Sequence, residues 1–528
     1  MSDQAERSSR VRPRRASRHL TSRAAWALLL SGTSALAQLP PGDRPAAVPP
    51  PDDLGPPEAA ALPSPERALE TIEQRLAGLL ARPGGLTARE VGSRAAASST
   101  DASVRLADVQ AAAADVDRAF MAFLPRLTLT GRYTRLSPVD AASVGPGQGS
   151  LVGTTDPAGP LAPGAPLFGI PASAFSFPVI LNQYLLNANL TIPLSDYVMS
   201  TSKAYAASSA SRRAAELGVK ASRVAAAANA KIAYYNWVRA RLQSVVAEEA
   251  LVLAKAQLEV AKVAFGAGRV SNVDVLRAQA HVANSELLVE KARTFSRVGE
   301  EQLRVVMHAP ADRAWEIGEN VLTARAADRE TRPLDALVSE ALKKRLDIRS
   351  LDETAWSLKK QTAVLEAQAV PRVEAFGNAY YANPNQRVFP QQEKWSATWD
   401  VGLQVVWSPN DLGTSPASAR GLDAQRVRVE AQKRALLDGL RMEITQAQQA
   451  MSEAQFAVET SRRALAVAEE AYRVRRQQYS FGRATSLELT DAEVELLRSR
   501  MALIDAHIAL RVARVQLDHA LGRDTAVR

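Results

Sequence analysis

The stretch FGAGRVSNVDVLRAQAHV, residues 265–282, has a second version downstream, YSFGRATSLELTDAEVEL, residues 479–496. Both follow one pattern: an aromatic residue, a two-residue gap, Gly-Arg, one residue, Ser or Thr, a two-residue gap, an acid, and an Ala one turn later. The matched pairs are Phe265/Tyr479, Gly268/Gly482, Arg269/Arg483, Ser271/Thr485, Asp274/Glu488 and Ala278/Ala492, all at an offset of 214. Each Gly sits between two helical patterns, where a backbone that a Cβ disfavours is expected. Thr485-Ser-Leu-Glu488 is a capping box, with Glu488 reaching back to the helix start; Ser271-Asn-Val-Asp274 is a weaker version. A chain that makes the same turn twice has an internal repeat, and the rest of the sequence can be read against it.

Working outward, the elements fall in the same order on both sides. An Ala-rich helical pattern runs from Leu86 to Phe123, and Pro125 ends it. RLTLTGRYTR, 126–135, alternates with strand periodicity, Leu127, Leu129, Gly131 and Tyr133 on one face and Thr128, Thr130, Arg132 and Thr134 on the other. A Gly/Pro/Ser stretch over 137–178 carries turn chemistry throughout, and a second strand is expected over about 184–194. One long helical pattern then reaches the first turn at 265–271, followed by a shorter helix over 271–308. After a polar linker, 311–333, the order begins again. A helix spans 334–369, and strands are expected at about 372–381 and 395–407. A long helix runs to the turn at 479–485, and a last helix covers 485–521. Pro125/Pro371 and Gly131/Gly377 align at an offset of 246, so the first strand pair carries 32 extra residues, the Gly/Pro stretch.

Two lengths bear on function. The long helical patterns run for about 70 residues, or roughly 100 Å at about 1.5 Å per residue, far longer than an ordinary globular core. The strand at 395–407 places Trp395, Ala397, Trp399, Val401, Leu403, Val405 and Trp407 on one face and Ser396, Thr398, Asp400, Gly402 and Gln404 on most of the other. Twelve steps of about 3.3 Å at a tilt of about 40° project to roughly 30 Å, the apolar thickness of a bilayer. Trp395 and Trp407 then stand where interfacial aromatics belong. A sandwich strand with one face on a soluble core gives the same alternation, so a periplasmic coiled-coil scaffold or adaptor without a pore is the competing reading. Four strands do not close a barrel, since the smallest closed types have about eight; a membrane reading therefore requires a symmetric ring of copies.

The chain has 528 residues, a net charge of +9 and no cysteine. Seven Arg against two acids lie in the first 37 residues, so the remainder is only mildly basic, and no basic run with interleaved aromatics suggests nucleic acid binding. The basic start, the apolar AAWALLLSGTSALA and the Ala35-Leu36-Ala37 site read as an export signal, residues 1–37. Residues 38–65 are Pro-rich and read as an extended linker. Without cysteine there are no disulfides, thiolate metal sites or Cys nucleophiles. His19, His281, His308, His507 and His519 show no i, i+3 or i, i+4 pairing, and no P-loop or G-x-S-x-G elbow occurs. The reading is of a protein that is not an enzyme and needs no cofactor.

The doubled Phe/Tyr-x-x-Gly-Arg-x-Ser/Thr-x-x-Asp/Glu turns, the Pro125 and Pro371 strand entries and ALKKRLDIRS, 341–350, together resemble the TolC family of outer membrane efflux proteins over about 66–525. The resemblance implies an α+β membrane protein with two structural repeats per protomer, 66–310 and 334–525. It implies a homotrimer in outer membrane lipid, each chain giving four strands to one 12-stranded barrel continued by a periplasmic α-helical barrel. The implied role is the exit duct of a tripartite efflux or type I secretion system, fed by an inner membrane pump through a periplasmic adaptor. The tips, with Phe265, Gly268, Arg269, Ser271, Tyr479, Gly482, Arg483 and Thr485, are the implied docking points. Glu488 and Asp491 fall at the family's acidic constriction and Asp274 at its latch position; Ala484, beside Arg483, stands where the family carries its latch Arg. The family pattern does not explain the Pro-rich 38–65 stretch.

Overall fold

The computed structural model describes residues 65–138, 151–154, 163, 167–170, 180–310, 314–323 and 330–524. The expected export signal, nearly all of the 38–65 linker and most of the 137–178 stretch lie outside these residues.

The chain begins with α1 (Pro65–Leu79), which the sequence reading did not anticipate; Pro65 takes its first position, where a missing N–H costs nothing. The expected helix over 86–123 is two, α2 (Ala88–Ser98) and α3 (Thr100–Met121). The break is at Ser99, whose extended backbone and hydroxyl, accepting from Ala102 N at 3.2 Å, start a new helix. Strand β1 (Arg126–Arg135) follows. Within the stretch expected to be turns throughout, β2 (Leu151–Thr154) and β3 (Leu167–Ile170) pair as a short antiparallel hairpin. Strand β4 (Asn182–Ile192) starts two residues earlier than expected and leads through a π turn, Tyr197–Thr201, into α4 (Ser202–Gly266). After the first turn comes α5 (Asn272–Met307).

The later half contains α6 (Leu334–Lys344), α7 (Leu346–Gln368), β5 (Arg372–Asn383), β6 (Ser396–Val406), α8 (Asp411–Ser480) and α9 (Ser486–Ala520). The expected helix over 334–369 is interrupted at Arg345, whose backbone is extended. Arg345 bonds Asp347 at 2.7 Å and Glu443 of α8 at 2.5 Å. The Arg-Leu-Asp of ALKKRLDIRS is thus a clamp fixing the α6–α7 corner to the long helix.

The 65 residues of α4 and 70 of α8 are each about 100 Å long at about 1.5 Å per residue. The sheet joins their N-terminal ends and the Gly-Arg turns lie at their C-terminal ends. Close approach along α4 is possible because Ala210, Ala227, Ala230, Ala247 and Ala254 are fully buried on it. Midway, a core forms around Tyr234, Trp237, Val238 and Leu242 of α4 with Val91, Leu303, Ile504 and Ile508. A second gathers Leu337, Ala341 and Ile348 against Leu440, Ile444 and Leu517. Between α1 and α2 the chain meets residue 317 in a parallel bridge, Leu86 to Ile317, and the Tyr234 hydroxyl donates to the Leu86 carbonyl at 2.8 Å. These short segments form a belt around the middle of the long helices.

Candidate functional site

Two regions carry the function-bearing residues: the sheet, and the turns some 100 Å from it. The four long strands form one antiparallel sheet in the order β1-β4-β5-β6. The register aligns residues of like character in rows. Leu129, Ala188, Ala379 and Trp399 form one row, and Leu127, Leu190, Gly377 and Val401 the next. On the other face Thr128, Asn189, Asn378 and Asp400 make a row, as do Thr130, Asn187, Tyr380 and Thr398.

One face is therefore apolar across all four strands, and nothing among the described residues covers it. Leu129, Trp399, Val401, Leu403 and Val405 are 74, 73, 72, 71 and 69% exposed. So large an exposed apolar surface marks contact with a membrane or partner. The other face carries a ladder of polar contacts: Asn189 Nδ2 donates to Asn378 Oδ1 at 2.6 Å, Asn378 Nδ2 to Asp400 Oδ2 at 3.0 Å, and Gln404 Nε2 to Glu374 Oε2 at 3.0 Å.

Aromatic residues border the apolar face at both ends. Away from the helices, Tyr133, Tyr184, Tyr381 and Trp395, one from each strand or its edge, make a continuous set, with centroids 5.1 Å apart for Tyr133–Tyr184, 5.9 Å for Tyr184–Trp395 and 4.8 Å for Tyr381–Trp395. At the helical end Trp407 donates its Nε1 hydrogen to the Ala369 carbonyl at 3.2 Å, and Phe123 stacks on Tyr197. Strands β1 and β6 each have one unpaired edge among the described residues. Among those residues no helix is long and apolar enough to cross a membrane.

At the other end, the two turns are the same structure. Gly268 and Gly482 have φ of +69° and +70°. In the first, Gly268 N donates to Phe265 O and Arg269 N to Ala264 O; in the second, Gly482 N donates to Tyr479 O and Arg483 N to Gln478 O. Both are Schellman closures with glycine in the left-handed position. The next helices start from the expected acids. Thr485 N donates to Glu488 Oε2 at 2.9 Å and Glu488 N to Thr485 Oγ1 at 3.3 Å. Ser271 donates to Asp274 Oδ2 from its backbone at 3.1 Å and from its hydroxyl at 2.7 Å.

The acids differ in their partners. Asp274 also accepts from the Ser486 hydroxyl, which links the two turns. Hydrogen bonds from Ser486, then Ser271, hold its carboxyl below the usual carboxylate range. Glu488 is held low by the Thr485 amide first, then the Thr485 hydroxyl, and finally by Arg475, 3.4 Å away. Asp491, one turn deeper, is exposed and has no hydrogen bond or ion pair among the described residues. Phe265, Arg269 and Arg483 are exposed. Tyr479 is half-buried; burial first, then the Asp274 charge, pushes its hydroxyl up. Ala484 makes no latch.

Sequence reasoning missed the contacts between the hairpins. His281 on α5 lies 3.6 Å from the buried Glu493 on α9, and Gln257 Nε2 on α4 donates to Thr490 Oγ1 at 3.1 Å. Beside them a cavity of about 20 Å³, near one water in size, is lined by Gln257, Tyr472, Arg476 and Glu493. Burial pushes the Tyr472 hydroxyl up to about 12. Glu493 lies two residues beyond Asp491 and faces inward.

The sheet and paired turns find their counterpart in known proteins. The outer membrane efflux protein family model matches residues 91–307 and 337–523, and the chain belongs to that family. It is an outer membrane channel protein rather than an enzyme, with its helical part in the periplasm. The fold is similar to the Campylobacter jejuni CmeC outer membrane channel, at 15% identity and TM-score 0.63 over 82% of this chain and 85% of that one. It is similar to the outer-membrane channel OprN, at 19% identity and TM-score 0.64 over 89% and 98%. It is also similar to the Vibrio cholerae outer membrane protein VceC, at 18% identity and TM-score 0.64 over 82% and 96%. No curated protein matches the chain by sequence.

Proposed function

We propose that three copies of the chain close one 12-stranded barrel, each giving β1, β4, β5 and β6, and that the helices continue it as a tunnel through the periplasm. The supporting observation is a four-stranded sheet with one wholly apolar exposed face, a polar opposite face and two open edges. Open edges are not viable in lipid, and ring closure between β1 of one copy and β6 of the next satisfies them. The two halves, 66–310 and 334–525, act as structural repeats, so three chains present six hairpin turns. The loop joining β1 to β4 then lies outside the cell. The channel is the exit duct of a tripartite efflux or type I secretion system. A periplasmic adaptor docks at the turns carrying Phe265, Gly268, Arg269, Ser271, Tyr479, Gly482, Arg483 and Thr485, and an inner membrane pump supplies the energy.

The periplasmic end closes on acids. Glu488 is committed to its capping box and Asp274 to Ser486, which leaves Asp491 with an uncompensated charge. Three copies around an axis make a ring of carboxylates that attracts multivalent cations. Single-channel recording of the purified assembly tests both levels of the reading. A cation-selective pore blocked by a trivalent cation from the turn side is expected, with the block weakened far more by Asp491→Asn than by Asp274→Asn. A protein that forms no pore fits a periplasmic scaffold and contradicts the duct. A pore whose selectivity and block survive Asp491→Asn removes Asp491 from the constriction.

A further inference from the structure

We infer that the segment joining β5 to β6, residues 384–395, folds inward across the outer mouth, and that Arg387 sets the size of solute that passes it. The inference rests on the barrel reading, which makes the polar sheet face the wall of the passage.

The segment could leave the sheet toward either face. Its anchors place it on one. Asn385 is a loop residue yet only 4% exposed. Its Nδ2 donates to the Ser396 carbonyl at 3.0 Å and to Thr398 Oγ1 at 3.2 Å, and its Oδ1 accepts from the Arg387 amide at 3.0 Å. The Arg387 guanidinium meets Asp400 Oδ1 at 2.6 Å and lies 4.5 Å from the Tyr380 ring centroid. Thr398, Asp400 and Tyr380 all belong to the polar face, as the strand register requires. The segment is thus drawn over the polar face of β5 and β6, and only its last residue, Trp395, joins the aromatic set on the apolar side.

The anchors differ in strength. The Asn385 amide is buried, so losing its partners leaves unsatisfied groups in the wall. The Arg387–Asp400 pair is partly exposed and contributes modestly, with the ring of Tyr380 adding to it. A segment held this way is displaceable. It narrows the mouth at rest and yields when a bulky solute pushes outward. Asp400 is already tied to Asn378 below it, so Arg387 connects the segment to the polar ladder of the wall.

The absence of cysteine makes a single introduced thiol unique. Gln404→Cys places one on the polar face near the helical end of β6, and Leu403→Cys places one on the apolar face. A small membrane-impermeant thiol reagent and a polymer-linked maleimide are added to intact cells. Gln404→Cys is expected to react with the small reagent and only slowly with the polymer-linked one. Adding Arg387→Gln or Asn385→Ala to Gln404→Cys raises the polymer-linked rate about fivefold, the scale set by losing such an ion pair or amide anchor. The rate with the small reagent stays the same. A polymer-linked rate that is already fast with Asn385 and Arg387 in place, or that neither substitution alters, overturns the inference and leaves the barrel standing. Leu403→Cys reacting as readily as Gln404→Cys, or Gln404→Cys reacting only after the outer membrane is permeabilised, overturns the barrel reading itself.

Discussion

Ser486, the first residue of α9, donates its hydroxyl hydrogen to Asp274 in the first turn of α5, so the two hairpin turns of one chain are joined. Higher up, His281 and Glu493 make a second contact between the same two helices, which otherwise meet little. The turns are held to one another by polar contacts, while the belt and the small-residue faces hold the helices above them.

The tie at Asp274 has a pH dependence whose sign is fixed. Its carboxyl lies below the usual carboxylate range in the folded state. Its stabilisation is therefore complete above the unfolded value of about 4 and is lost as pH falls through the lower folded value. Asp274→Asn removes this acid-sensitive part. Amide exchange in the first turns of α5 and α9, corrected for intrinsic rates, is expected to be about fivefold faster at neutral pH and flat on acidification. Exchange in Asp274→Asn that matches the wild type at every pH would show that the turns are held by something else.

Gly482 is required by its backbone alone. Its φ is +70° and no atom lies within 4 Å of where a Cβ would stand. Gly482→Ala should cost about 1 kcal/mol, and Gly482→Val more. Limited proteolysis between α8 and α9 reads this as about fivefold faster cleavage at the turn with the rest of the chain protected. Unaltered cleavage of both variants would mean that the left-handed turn is not what closes the hairpin.

Gly318 in the belt is a different case, because its constraint is contact. A Cβ there would lie 2.2 Å from the Gly85 carbonyl oxygen, in the bridge that pairs Leu86 with Ile317. Gly318→Ala should destabilise the belt by about 1–3 kcal/mol, as overpacking does. Thermal unfolding in detergent should move down by several degrees, whereas Gly439→Ala, on open space in α8, should leave it in place or raise it slightly. Equal behaviour of the two would remove the belt from the stability of the protein.

The order of the main elements was legible because it depends on periodicity and on two residue types that act locally. Alternation marked the strands, and glycine with a following Ser/Thr and acid marked the turns. What was not legible depends on contacts between segments far apart. Nothing in the run from 86 to 123 announces a break at Ser99 rather than at its neighbours Ser98 or Thr100. Arg345 reads as helical until Glu443, 98 residues away, gives its guanidinium a partner. The β2–β3 hairpin is too short to show period two above its Gly/Pro surroundings. At the turns, Asp274 was placed by its spacing, but its partner Ser486 lies on the other hairpin, and Glu493 gained meaning only once His281 was beside it. The family match covers both halves, while the roles of individual acids rest on local chemistry.

A duct formed by this chain requires the sheet to be one part of a ring. The mass of the detergent-solubilised protein, by light scattering or native mass spectrometry, tests this directly. A single species near three times the mass of one chain is predicted, because four strands with two open edges need partners to close. A monodisperse monomer, with β1 and β6 left open and the apolar face covered by detergent alone, would contradict it.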